Sequence, residues 1–150
     1  MKRLDLVLNG KGGVGKSFFA VNLVQYLKDK SLPHIAIDTD NENSTLKRFH
    51  PEALFLDLAS PRELDGIFSG FEQTSLVVVD CRAASTDLFL DYFETIDLAS
   101  TLSTLGVGLT LVMPFNHEMD SIDQIQLLKS QPRWSIGFDG PYCRINLLRS

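Results

Sequence analysis

Apolar and polar residues fall in alternating blocks along this chain. Leu4 to Leu8 is a short apolar run interrupted by Asp5 and closed by Asn9-Gly10, which predicts a first strand. From Lys16 to Lys30 the apolar residues Phe19, Leu23, Tyr26 and Leu27 recur near helical spacing, so a helix follows. His34 to Asp38, introduced by Pro33, reads as a second buried strand, and Ala53 to Leu58 as another carrying Leu54 and Leu56. Ser60-Pro61-Arg62-Glu63 has the form of a helix start, with a capping Ser, Pro at the first helical position and Glu three residues after the cap. Leu76-Val77-Val78-Val79-Asp80 is the strongest strand, apolar on both faces as central parallel strands are. A helix over Thr86 to Leu98, a strand from Val107 to Met113 ending at Pro114, and a helix over Glu118 to Lys129 complete the alternation. Trp134-Ser135-Ile136 and Cys143 to Leu148 each read as a strand. The expected fold is α/β, a mostly parallel sheet with helices on both faces.

Composition narrows the class without changing the fold. With 150 residues the chain reads as one domain over 1–150. A doubly wound sheet that ends on a strand leaves a face uncovered, so its C-terminal end is open to being a shortened form of a longer protein. Hydrophobic residues make up 44% and charged residues 22%, which excludes disordered and fibrous classes. The formal charge of −5 disfavours a chain-wide basic coat for nucleic acid. Two cysteines make no disulfide framework and no metal spacing. No run approaches the ~18 apolar residues of a membrane span, and the acid in Met-Lys-Arg-Leu-Asp-Leu is unlike a signal peptide. A cytosolic protein is expected.

Gly10-Lys11-Gly12-Gly13-Val14-Gly15-Lys16-Ser17 fits the phosphate-loop pattern of two glycines flanking four residues before Lys-Ser. Glycines let the backbone curl until successive N–H groups face inward as an anion nest, which opens at a helix N-terminus. Lys16 would reach the β- and γ-phosphates, and the Ser17 hydroxyl would be a Mg²⁺ ligand. A chance match in a chain of this length is roughly 1 in 200 at average usage, and here the loop follows a strand and opens a helix, as the motif demands.

Lys11, five residues before Lys16, makes the loop Lys-Gly-Gly-Val-Gly-Lys-Ser. At this point the sequence resembles the ParA/MinD superfamily of deviant Walker A P-loop ATPases. In that family the first lysine crosses an ATP-sandwiched dimer interface to the partner's nucleotide, a role the resemblance assigns to Lys11. Asp38-Thr39-Asp40 resembles the family's second segment, which implies Asp38 near the magnesium shell and Asp40 positioning the attacking water. The chain then departs, reading Asn41-Glu42-Asn43-Ser44 where ParA proteins usually have Pro-Gln-Gly-Asn. Asp80 closes a Walker B-like strand and is the expected water-mediated Mg²⁺ partner. The following loop, Cys81-Arg82-Ala83-Ala84-Ser85, lacks the family's Pro or Gly. Asn146 matches, in a short stretch, the family's base-contacting Asn after a late strand.

Other residues read as ordinary structure: Cys81 as a buried thiol, Arg82 as a surface arginine, His34, His50 and His117 without metal spacing, and Phe18, Phe19, Phe89 and Phe93 as core. The resemblance implies a slow Mg-ATP-binding ATPase that dimerises around ATP, in plasmid or chromosome partitioning or conjugal transfer. It implies a partner protein that stimulates hydrolysis and leaves non-specific DNA open, with Lys28, Lys30, Lys47 and Arg48 as candidates. No membrane role is expected, because Arg144 to Ser150 forms no amphipathic helix. Two alternatives stand beside it: a metabolic P-loop enzyme that phosphorylates or activates a small acid, and a nucleotide-binding module without catalysis.

Overall fold

The computed structural model describes residues 1–58, 61–130 and 143–149. Among these residues six strands form one parallel sheet: β1 (Lys2–Val7), β2 (Ile35–Asp38), β3 (Leu54–Phe55), β4 (Leu76–Asp80), β5 (Val107–Phe115) and β6 (Cys143–Arg149). Their order is β3-β2-β4-β1-β5-β6, and every pairing is parallel. Strand β1 is therefore flanked by β4 and β5, and β2 pairs with β4 rather than with β1. Strand β4 lies between β2 and β1, with Asp38 in register with Asp80 and Asp80 with Val7.

Helix α1 (Lys16–Asp29) covers one face of the sheet together with α2 (Thr45–Phe49), burying Ala20, Val24 and Leu27 against Val7, Val78 and Val112. The other face carries the larger core, where Leu4, Leu6, Val77, Val79, Leu109 and Leu111 meet α3 (Asp65–Ser69), α4 (Thr86–Thr95), α5 (Leu98–Leu105) and α6 (Met119–Ser130). Phe89 and Phe93 are core as expected, their rings 5.8 Å apart. Phe18 is not: it is 76% exposed, on the line of α1 (Phe18, Asn22, Gln25, Asp29) that faces away from the sheet.

Three elements differ from the sequence expectation. The strand expected over Ala53 to Leu58 has only two residues paired, Leu54 and Phe55, and both are exposed at the sheet edge while Ala53 and Leu58 turn inward. The expected helix to Leu98 stops at Thr95, because Asp97 adopts a left-handed backbone (φ 46°) and the chain restarts as α5. Asp tolerates that conformation better than most side chains. Strand β5 runs through Pro114 to Phe115; β1 pairs with it only as far as Val112, so on that side the missing proline N–H leaves no ladder bond unmade. Pro61 to Leu64 form a 3₁₀ turn that leads into α3, while Ser60 and Trp134 to Ile136 lie outside the described residues.

Candidate functional site

At the C-terminal edge of β1, Gly10 to Gly15 curl over the start of α1. Gly13 and Gly15 have φ of 72° and 91°, left-handed values that a side chain would strain, and Gly15 is the residue from which α1 starts. Asn9 anchors the loop from below. It is fully buried, its side-chain amide donates to the carbonyls of Pro114 (3.0 Å) and Ser121 (3.1 Å), and its oxygen accepts from the Lys11 amide (2.9 Å). The two carbonyls it donates to stand more than a hundred residues away, so the sequence offered only the Asn-Gly turn signal.

Lys16 is buried, and its ammonium donates to the Lys11 carbonyl at 2.8 Å. Burial pulls its pKa below the ordinary lysine value, against the opposing pull of Asp80, Cys81 and Asp40. Lys11 extends the other way, to Glu118 Oε2 (3.0 Å) and Asp120 Oδ2 (3.6 Å) at the start of α6. The two loop lysines thus face different surroundings.

Asp80 is 1% exposed, and among the described residues neither carboxylate oxygen makes a hydrogen bond of ordinary geometry. Burial pushes its pKa up to about 7; the neighbouring Asp38 and Asp40 add to the rise, while the nearby Ser17 hydroxyl and Lys16 oppose it. A buried carboxylate without partners is costly, and here it lies beside the one loop residue expected to ligate a cation. Asp38 is also buried, but both its oxygens are engaged, one by the Asp40 amide and one by the Lys47 amide, each at 2.9 Å. It pins the acidic loop to α2. Asp40 caps its own turn, Oδ1 accepting from the amides of Glu42 (2.9 Å) and Asn43 (3.1 Å) and Oδ2 from the Asn43 side chain (3.1 Å). Burial acts to raise the Asp40 pKa, but the hydrogen bonds from Asn43 and Glu42 and the charge of Lys16 outweigh it and hold the group below its ordinary value.

A cleft of about 230 Å³ brings some of these parts together, while Lys11, Asp38 and Asp80 do not line it. The glycine loop and Lys16, Ser17 and Phe18 form one wall, Asp40, Asn43 and Thr45 a second, and Cys81, Arg82 and Ala83 a third. Arg82 therefore belongs to the cleft as well as to the surface, and Phe18 stands at its rim. Cys81 is the buried thiol expected, its pKa pushed well up by burial. Asn146 is exposed on β6, in register with Val112, and is not part of the cleft wall. The basic residues weighed for nucleic acid have partners within the chain: Lys28 meets Glu52 and His50, Lys47 the Ala53 carbonyl (2.7 Å) and Arg48 the Asn43 carbonyl (2.9 Å), while Lys30 lies over the Tyr26 ring. Among the described residues no helix is long and apolar enough to cross a membrane.

Residues 6–137 match the CbiA family, described as the CobQ/CobB/MinD/ParA nucleotide binding domain. The chain is 27% identical over 130 residues to Protein MobD of Acidithiobacillus ferrooxidans, an alignment covering 83% of this chain and 56% of MobD. It is 45% identical over 49 residues to a Protein TraL of Escherichia coli, covering 33% of this chain and 20% of that protein. The chain thus spans about half the length of MobD and less of TraL. A parallel sheet with a glycine loop at the edge of β1, and a family match over nearly the whole chain, lead to one assignment: this protein belongs to the CobQ/CobB/MinD/ParA nucleotide-binding domain family.

Proposed function

We propose that the chain is a Mg-ATP-binding ATPase acting as an ATP-dependent dimerisation switch in plasmid or chromosome partitioning or plasmid transfer. The observation that carries the reading is Asp80, a buried carboxylate beside Ser17 and Lys16 whose oxygens have no hydrogen-bond partner of ordinary geometry among the described residues. That is the donor set a divalent cation and a triphosphate require, and Ser17 and Asp80 would hold Mg²⁺ between them, directly and through water, with Asp38 close by. Bound there, the cation supplies charge neutralisation at the phosphates. The loop amides cradle the phosphates, and Lys16 exchanges the Lys11 carbonyl for phosphate oxygens. In hydrolysis a water oxygen bonds to the γ-phosphorus, the bond to the bridging oxygen breaks, and ADP, phosphate and a proton leave. Asp40 orients that water once its Asn43 side-chain contact gives way.

In this reading Lys11 leaves Glu118 and Asp120 to meet the nucleotide of a second copy. The similarity to MobD and TraL supports the partition or transfer branch. A partner protein that stimulates hydrolysis and a cytoplasmic, plasmid- or nucleoid-associated location belong to the same proposal, and non-specific DNA is a further partner to test. The experiment is light scattering after size exclusion on Asp40→Ala, with Mg-ATP and with Mg-ADP. A dimer with Mg-ATP alone supports the switch, and a monomer in both with ATP bound rejects it. The second reading, a phosphate-transferring metabolic enzyme, draws on Lys11 being engaged within its own chain. Phosphorylation of a small acid by a monomer decides for it.

A further inference from the structure

Three amides along the loop after β4 tie it to the rest of the site. The Cys81 amide donates to the Val7 carbonyl (3.1 Å), and the Ala84 amide donates to the Gly10 carbonyl (3.0 Å). Both are backbone to backbone and indifferent to side-chain identity. The middle tie differs: the Arg82 amide donates to the Thr39 hydroxyl at 3.0 Å. That hydroxyl in turn donates to the Asp80 carbonyl at 3.0 Å, and the Thr39 amide donates to the same carbonyl at 3.1 Å. Thr39 is 1% exposed and stands between Asp38 and Asp40. Arg82, Ala83 and Asp40, which line two walls of the cleft, are thus spaced through one side-chain oxygen that must accept and donate together. A methyl group in its place fills the volume and does neither.

We propose that Thr39 is a positioning residue of this nucleotide site: its hydroxyl holds the loop of residues 81–85 against the acidic loop, so that both present themselves to the γ-phosphate end of a nucleoside triphosphate as one unit. This rests on the ATPase reading above. Thr39 touches no reacting atom; it sets the distance between groups that do. Small misplacements of such groups reduce turnover far more than ground-state binding.

The test compares Thr39→Val and Thr39→Ser with the parent chain, measuring kcat for Mg-ATP and the Kd of a non-hydrolysable ATP analogue. Expected for Thr39→Val are a kcat reduced roughly ten- to a hundredfold and a Kd within about twofold of the parent, with Thr39→Ser restoring kcat because serine keeps the hydroxyl. Hydrogen exchange in the free chain should be faster across residues 81–85 in Thr39→Val and unchanged in Thr39→Ser. An unaltered kcat in Thr39→Val overturns this proposal alone. So does a joint loss of binding and turnover that serine does not rescue, which makes Thr39 a residue of the fold. Absence of turnover in the parent overturns the ATPase reading and this proposal with it.

Discussion

Lys11 Nζ lies 3.0 Å from Glu118 Oε2, which fastens the first lysine of the glycine loop to the start of α6. Asp120 adds a second carboxylate at 3.6 Å. The lysine is held at its charged end by the chain it belongs to, so any reach toward a second copy has to break this contact first. Exposed ion pairs are weak and screened by salt. The double change Glu118→Gln with Asp120→Asn should therefore strengthen Mg-ATP-dependent self-association by about two- to fivefold at low salt. Sedimentation at two salt concentrations checks it, since the gain should shrink near 0.5 M salt, where screening lengths fall to a few ångströms. Weaker association in the double variant would mean that α6 helps build the dimer instead of restraining it.

Lys16 offers a sharper loss. Its ammonium is buried and held by one backbone carbonyl, which leaves donors free for phosphate at the mouth of the anion nest. Charge-assisted hydrogen bonds to phosphate contribute about 1.5–3 kcal/mol. Lys16→Ala should weaken ATP binding by at least about tenfold, measured by calorimetric titration, while the thermal midpoint changes little because the same change removes a buried charge. Unchanged affinity would place the nucleotide elsewhere.

Much of this site could be read locally, and the rest could not for identifiable reasons. The loop from Gly10 to Ser17 and the helix after it were legible because glycine conformations and helical spacing are short-range signals. Asp80 was legible as a strand-end acid. That its strand lies between β2 and β1, bringing Asp80 into register with Asp38 on one side and Val7 on the other, depends on strand order, which no local pattern encodes. The helix α5 was missed because Leu98 to Leu105 is rich in Ser and Thr, weak helix formers; the Leu98, Leu102 and Leu105 spacing and Gly106 beyond it were the available signal. Helical spacing alone puts Phe18 in the core, yet its position on α1 faces outward beside the cleft. Asn9 and Thr39 act through partners 105 and 41 residues away, so their roles emerge only with the fold.

Asp80 makes the pH behaviour of the free chain predictable. Its folded pKa, about 7, lies above the ordinary carboxylate value of 3.8, chiefly through burial. Between those values the folded chain keeps a proton the unfolded chain has lost, so this group's contribution to stability falls as pH rises toward 7 and is level above it. Asp80→Asn removes that dependence. Relative to the parent, the variant should gain about 1–2 kcal/mol more stability at pH 8.5 than at pH 5.5, since the slope is about 1.4 kcal/mol per pH unit over the remaining interval. Urea unfolding of both chains at the two pH values measures it. An equal difference at both would show that the Asp80 carboxyl ionises at its ordinary value.

Gly10 tests how tightly the loop is wedged between α4 and α6. A Cβ built there would come within 2.7 Å of Gln124 Cδ and 3.2 Å of Thr86 Oγ1, too close for either to stay in place. The nearer obstacle is the end of a flexible side chain, so Gly10→Ala should be tolerated at a cost of about 1 kcal/mol. The displacement should also weaken nucleotide binding, because the Gly10 carbonyl accepts from Ala84 and the loop carries the amides that cradle phosphate. Removing the obstacle with Gln124→Ala should be nearly neutral alone, and in the double variant should recover most of the stability and affinity that Gly10→Ala loses. Such non-additivity is the signature of two groups competing for one space. Additive losses in the double-mutant cycle would instead place the cost in the backbone of the loop itself.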